Sequence, residues 1–198
     1  MTLTIARKDI VPLSVYRAWR AEYVRKMIAY KKDRRVQLSN YISVLFENRN
    51  TVLYQILELV HSEDLTDEAE LEEYIDIYSG MLPGPGEWSA TLFIEMDNQK
   101  LLEETLVKLK GIEHHLAIVV GNETIPAVFE EVHDDREFTT SVHYLKFPLP
   151  AKALAALREK NATGNRPTVQ LVLSHPALTA EAILRPETVD SLVADLTD

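Results

Sequence analysis

Leu82-Pro83-Gly84-Pro85-Gly86 divides the chain into two stretches of different texture. Two prolines and two glycines in succession cannot continue a helix: proline lacks the amide hydrogen, and glycine loses the most backbone entropy on ordering. Before this break the apolar residues recur at steps of three and four. After it they run together or alternate, as strands do. The expectation is a mainly helical region over 1–82, a linker over 83–88 and an α+β region over 89–198. Whether these pack as one compact domain stays open at this level.

Upstream, the periodicity predicts a first helix over 15–33, with Pro12 near its start and Ser14 as its cap. Tyr16, Trp19, Tyr23, Met27 and Tyr30 share one face of it. Such a stripe is more often core than a cofactor box, and it is expected to pack on the Ile56 side of the next helix. Buried tyrosine hydroxyls there need acceptors, with Glu47 and Glu58 available. Short extended pieces are predicted over 34–38 and 42–46. A second helix opens at Glu47 or Asn48 and ends near Ser62, and a third covers about 67–81 after Thr66.

Downstream, 90–96 reads as an apolar strand, Asp97-Asn98 as the cap of a helix, and Gly111 as its stop. Strands follow over 116–120 and 125–132, joined by a Gly121-Asn122 turn, and over 139–149. Pro150 starts a helix, 168–173 is a strand with a shorter one around Ile183, and Pro186 begins a last amphipathic helix. The expected fold class is α+β: a helical amino-terminal region followed by a mixed sheet with helices, close to ferredoxin-like with an inserted strand.

The chemistry in the chain centres on FENRNTVLYQILELVHSE, residues 46–63. At about 100° per residue a helix places Glu47, Thr51, Tyr54, Glu58 and His61 on one stripe, opposite Val52, Ile56, Leu59 and Val60. Glu58-x-x-His61 is the spacing by which di-iron carboxylate bundles set two ligands on one helix. Those bundles need the motif twice, and here it occurs once. Glu47, Glu58 and His61 are therefore candidate ligands of iron or manganese, completed by Glu95, by His143 or by a second copy across a homodimer two-fold. The plainer reading, a polar face of an amphipathic helix, is the stronger one on periodicity alone.

Other titratable groups carry weaker signals. His143 shares a strand face with Leu145 and Phe147, as a hydrogen-bonded core histidine does. His114 and His115 are adjacent on a strand approach and point apart. His133-Asp134-Asp135 reads as a solvated loop. Glu95 sits beside Phe93 on strand periodicity, which would half-bury it and raise its pKa.

Composition narrows the field. The 198 residues include no cysteine, which excludes disulfides, thiolate nucleophiles and cysteine-held zinc or iron–sulfur centres. No run of about 20 apolar residues and no leader-like amino terminus is present, so the expected location is cytoplasmic, without a membrane segment. The net charge is −10, yet residues 1–50 carry +7 and the stretch after Arg49 holds no Lys or Arg until Lys100. Basic and acidic segments that face each other account for this more simply than a nucleic-acid surface. Glycine-rich phosphate loops, Gly-x-Ser-x-Gly and His-Glu-x-x-His are all missing.

The runs KKDRRVQLSNYISVLFENRNTVLYQILELVHSED, ELEEYIDIYSGMLPG, ATLFIEM, GIEHHLAIVVG and SVHYLKFPL resemble the bacterial domain-of-unknown-function family three-five-zero-one over about residues 3–150. The resemblance brings no activity and no catalytic residues. It implies a neighbourhood of rubrerythrin-like proteins and heterodisulfide-reductase-type iron–sulfur proteins. The expected function is thus a non-catalytic accessory in a redox or peroxide-defence system, docking on such an iron–sulfur or rubrerythrin-like partner. The alternative is a carboxylate/histidine metalloprotein acting on oxygen or peroxide.

Overall fold

The computed structural model describes residues 4–129, 136–159, 164 and 166–196. Helix α1 (Leu13–Lys32) leads into a short strand β1 (Arg35–Gln37) and then β2 (Ile42–Glu47). Helices α2 (Arg49–Ser62) and α3 (Glu68–Ser79) follow, then β3 (Glu87–Ile94), α4 (Gln99–Lys108) and a 3-10 turn at Ile112–His115. The remaining elements are β4 (Leu116–Val120), β5 (Glu123–Pro126), β6 (Val142–Pro148), α5 (Ala151–Arg158), β7 (Val169–His175), β8 (Leu178–Ile183) and α6 (Pro186–Ala194).

Local chemistry sets most of these ends. Asn48 caps α2 by accepting from the amides of Asn50 and Thr51, while the Thr51 hydroxyl accepts from the Asn48 amide at 2.9 Å. Asp67 caps α3, and Asn98 caps α4. Gly111, at φ +82°, takes the left-handed conformation that ends the α4 region.

The α+β class holds. The strands form two four-stranded antiparallel sheets, β1-β2-β3-β6 and β5-β4-β7-β8, in place of one mixed sheet. The difference arises because β1 and β2, from the amino-terminal region, pair with β3 across the Pro/Gly run, with Phe46 opposite Ala90 and Glu47 opposite Ser89. That run is a packed corner: the Gly84 amide donates to Glu87 Oε1, and the Leu149 amide donates to the Gly86 carbonyl. Among the described residues one isolated bridge, Val128 with Lys146, joins the chain after the second sheet to the edge of the first.

Two hydrophobic clusters result. One joins both sheets with α4, α5 and α6 through residues such as Phe46, Trp88, Leu92, Ile118, Leu171 and Leu192. The other is helical, built on Tyr16, Val52, Ile56, Leu71, Ile75 and Met81. All six residues of β2 are buried because this strand lies between them. Ile42, Val44 and Phe46 join the first cluster, and by alternation Ser43, Leu45 and Glu47 face the other way.

Arg34 ties the far ends together. Fully buried, it donates to the Phe46 carbonyl (2.9 Å), the Glu47 carbonyl (3.3 Å), Ser191 Oγ (2.9 Å) and Asp195 Oδ2 (2.6 Å). The basic and acidic segments also meet within the fold, as in the Arg7–Glu68 and Arg17–Asp64 pairs. Among the described residues no helix is long and apolar enough to cross a membrane.

Candidate functional site

Helix α1 packs on the stripe of α2 that carries Tyr54, Glu58 and His61, and its Tyr16 also joins the apolar cluster of Ile56. Tyr23 meets Tyr54 edge to face at 5.8 Å between centroids, and Tyr16 meets His61 at 6.2 Å. Ile56 and Val60 share that cluster with Tyr16 and with Leu71 and Ile75 of α3. Periodicity misleads here because the polar groups are satisfied across the helix pair. The Tyr16 hydroxyl donates to Glu58 Oε1, and Arg20 grips both Glu58 oxygens from Nε and Nη2, each bond 2.7 Å long. Burial pushes the Glu58 carboxyl up, but the bonds from Arg20 and Tyr16 outweigh it and hold it below the ordinary range.

The three residues proposed as metal ligands are therefore not brought together. Glu58 is occupied by an arginine fork. Glu47 ends β2 ahead of the cap instead of riding the helix stripe, so its side chain follows strand alternation. His61 meets Tyr16 edge to face, with its Nδ1 buried and unpartnered. Among the described residues no three His, Cys, Asp or Glu side chains cluster as a metal site needs.

Glu47 stands in a different site. Its side chain is buried, and Oε1 accepts from the Thr91 hydroxyl at 2.7 Å. Oε2 is buried with no hydrogen-bond partner. Burial drives this carboxyl above the ordinary range, only partly offset by the Thr51 and Thr91 hydroxyls and by the charges of Lys31 and Arg34. Lys31 is itself pushed down by burial and lies over the Tyr54 ring at 4.7 Å.

The Glu47 side chain lines a cavity of about 310 Å³ between the outer face of the first sheet, the end of α3 and the Val128–Phe129 crossover. Its walls are mostly apolar and include Tyr78, Met81, Phe129 and Leu145. Ser89 also lines it, but its hydroxyl is committed to the Met81 carbonyl at 2.6 Å. Ile77, Val128 and Tyr144, three of the chain's exposed large apolar side chains, all border this cavity. Lys146 adds a cation, 3.6 Å from Glu87. A concave apolar space with a few polar groups is the usual form of a small-molecule site. A second cavity, about 250 Å³, is lined by Arg166 and Asp190, which already pair with each other at 2.8 Å.

The remaining candidates resolve plainly. His143 is a buried, hydrogen-bonded core histidine, with Nε2 at 3.0 Å from Thr139 Oγ1 and 2.9 Å from the Thr140 carbonyl, and burial lowers its pKa. Glu95 is exposed and pairs loosely with Arg35 at 3.4 Å, so the expected half-burial is not found: it lies one residue beyond the end of β3. His114 and His115 lie on a 3-10 turn, against Phe129 and His175 respectively. His133, Asp134 and Asp135 lie outside the described residues. Sequence reasoning named Glu47 but on the wrong element, and it missed Tyr78, Met81, Phe129 and Tyr144 as walls of one site. Tyr78 and Met81 lie at the end of α3, Phe129 in the crossover and Tyr144 in β6, and no spacing links these three segments.

Residues 4–196 match the family described as "Protein of unknown function (DUF3501)", so the match extends well beyond residue 150. No curated protein matches the chain. A crystal structure of a novel protein of unknown function from Burkholderia pseudomallei K96243 is similar at 31% identity, with a TM-score of 0.89 over 98% of this chain and 99% of that one. By sequence along nearly its whole length, the chain belongs to the DUF3501 family of proteins of unknown function.

Proposed function

We propose that this protein is a non-catalytic accessory that binds a small, largely apolar molecule in the Glu47 cavity. One observation carries the reading: a buried carboxyl oxygen without a partner belongs to a side chain that lines an apolar space ringed by exposed hydrophobic residues. An orphaned buried oxygen costs stability, about 1–3 kcal/mol, and such a cost is commonly kept where function uses the group. Holding a ligand in this way accords with the redox or peroxide-defence setting implied by the family resemblance, with an iron–sulfur or rubrerythrin-like protein as the partner.

Methionine-methyl NMR tests the cavity directly, since the chain has four methionines and, among the described residues, Met81 is the one that lines this space. Tetralin, a bicyclic hydrocarbon, is titrated into protein labelled at its methionine methyls, and Met81→Leu assigns the signal. The Met81 resonance shifts with a Kd on the order of 0.1–1 mM, and that of Met27 in α1 does not. An unmoved Met81 signal up to tetralin saturation overturns the reading.

The metalloprotein alternative keeps one specific observation in its favour, the unpartnered buried Nδ1 of His61 three residues after Glu58. An iron or manganese centre there requires Arg20 to leave Glu58. Elemental analysis of protein purified without a histidine tag tests it.

A further inference from the structure

We propose that α1 of one copy docks on α3 of a second copy of this chain, and the reverse, in a two-fold dimer. This is independent of the cavity reading. The charge asymmetry along the sequence is only partly consumed within the fold. Arg7 pairs with Glu68, Arg17 with Asp64 and Arg20 with Glu58. What is left over forms two exposed stripes. On α1, Arg25, Ile28 and Lys32 recur at steps of three and four and so share one helix face. On α3, Glu70, Glu73 and Ile77 do the same. All six side chains are exposed, Ile28 at 61% and Ile77 at 59%. Among the described residues no ion pair engages the four charged ones. Glu22, the nearest carboxylate to the α1 stripe, bonds to Lys26, and Arg25 acts on it only at longer range.

Each stripe carries what the other lacks. One exposed isoleucine is ordinary on a surface. Two of them, flanked by uncompensated charges of opposite sign, make complementary faces on a single chain, and a second copy is the occupant that meets both at once. Ile28 packs against the partner's Ile77, while Arg25 and Lys32 reach the partner's Glu70 and Glu73. A two-fold repeats this contact and closes the assembly. The net charge of −10 on each copy works against it. At about 0.15 M salt that repulsion is screened beyond about 8 Å, while charges in contact across the interface lie nearer than that.

Sedimentation velocity on the full chain at about 0.15 M salt tests the dimer. Wild type reaches a plateau at twice the 22.5 kDa chain mass, with a Kd on the order of 1–100 μM. Arg25→Glu with Lys32→Glu makes both stripes acidic, and Glu70→Lys with Glu73→Lys makes both basic. Each double variant alone weakens the dimer at least about tenfold, because like charges then meet in both halves. Mixed in equal amounts, the two associate within about threefold of wild type, since every α1 now meets an α3 of opposite sign. Far-UV circular dichroism of each variant matches wild type, as expected for exposed positions. Should a reversed variant lose its fold, the neutral pair Arg25→Gln with Lys32→Gln carries the test and weakens the dimer about threefold to tenfold.

A wild type that stays monomeric up to about 1 mM overturns the proposal. So does a folded charge-reversed variant that dimerises alone as tightly as wild type, or a neutral pair with unchanged affinity. A mixture of folded variants no tighter than its components also overturns it. A mass that climbs past two chains overturns the two-fold, because a head-to-tail contact does not close.

Discussion

Replacing Arg34 by methionine should be among the most damaging single changes available in this chain. The guanidinium is fully buried and spreads its donors over the Phe46 and Glu47 carbonyls, Ser191 Oγ and Asp195 Oδ2. Methionine fills similar length but donates nothing. Asp195, mostly buried itself, keeps only the 2.9 Å bond from Asn48 Nδ2. Removing one partner of a buried ion pair costs about 3–5 kcal/mol, because the other charge stays behind uncompensated. For a chain of this size each kcal/mol lowers Tm by about 2–4 °C, so the expected drop is about 6–20 °C. Urea denaturation followed by tryptophan fluorescence measures it, Trp88 reporting through its Nε1 bond to the Leu192 carbonyl at 3.0 Å. Asp195→Leu in the same background should recover part of the loss, giving a coupling of about 1–3 kcal/mol. A cost for Arg34→Met below about 1 kcal/mol, or additive effects of the two changes, would refute the assignment of Arg34 as the tie between the sheet and α6.

Further outcomes are expected. Burial raises the Glu47 pKa in the folded chain above the ordinary 4.5, so the native state holds this proton more tightly than the unfolded chain. Stability then falls as pH rises from about 4.5 through the folded value. Glu47→Gln should gain on wild type over that window in urea titrations, and parallel pH profiles would count against a neutral Glu47. Glu58 has the opposite sign: its stabilisation is present above its ordinary value and is lost as pH falls through the lowered one. Tyr16→Phe, which removes a buried donor to that carboxylate, should cost about 1–2 kcal/mol, while Glu58→Ala should lower Tm without changing metal content. Stoichiometric iron or manganese lost in Glu58→Ala would reverse that expectation and favour the metal centre. Gly86→Ala should cost about 1–2 kcal/mol by calorimetry, since Gly86 sits at φ +69° and a Cβ there would lie 3.3 Å from Leu154 Cδ1.

Where one element dictates its own structure, the sequence was a good guide. The Asn48 region as the start of α2, Asn98 before α4, the Gly111 stop, the Gly121-Asn122 turn and Pro186 at the head of α6 all act through their own backbone. Tyr16 reaching Glu58 was also within reach, because both lie on helix faces defined by periodicity. What periodicity could not supply was pairing. β2 is buried on both faces, so its alternation carries no sign of which side holds the function. The stripe of Tyr54, Glu58 and His61 looks like a solvated face, and it is an interface because Arg20 and the tyrosines satisfy it from outside the helix. The Glu47 cavity was not legible at all, since it exists only once β2, α3, β3, the crossover and β6 have met.

The tie between Arg34 and Asp195 also has a kinetic meaning. The two residues are 161 positions apart, and Trp88 and Leu192 are 104 apart. Contacts of such span close large loops, so they form late on a folding route dominated by nearer partners. Breaking them should then hasten unfolding more than it slows refolding. During synthesis the Glu47 backbone gains one of its anchors, from Arg34 Nη2, in a shell completed only by α6. A nascent chain that has made every wall of the cavity still lacks Asp195, so the Arg34 network on the Glu47 backbone is complete only when the last helix docks.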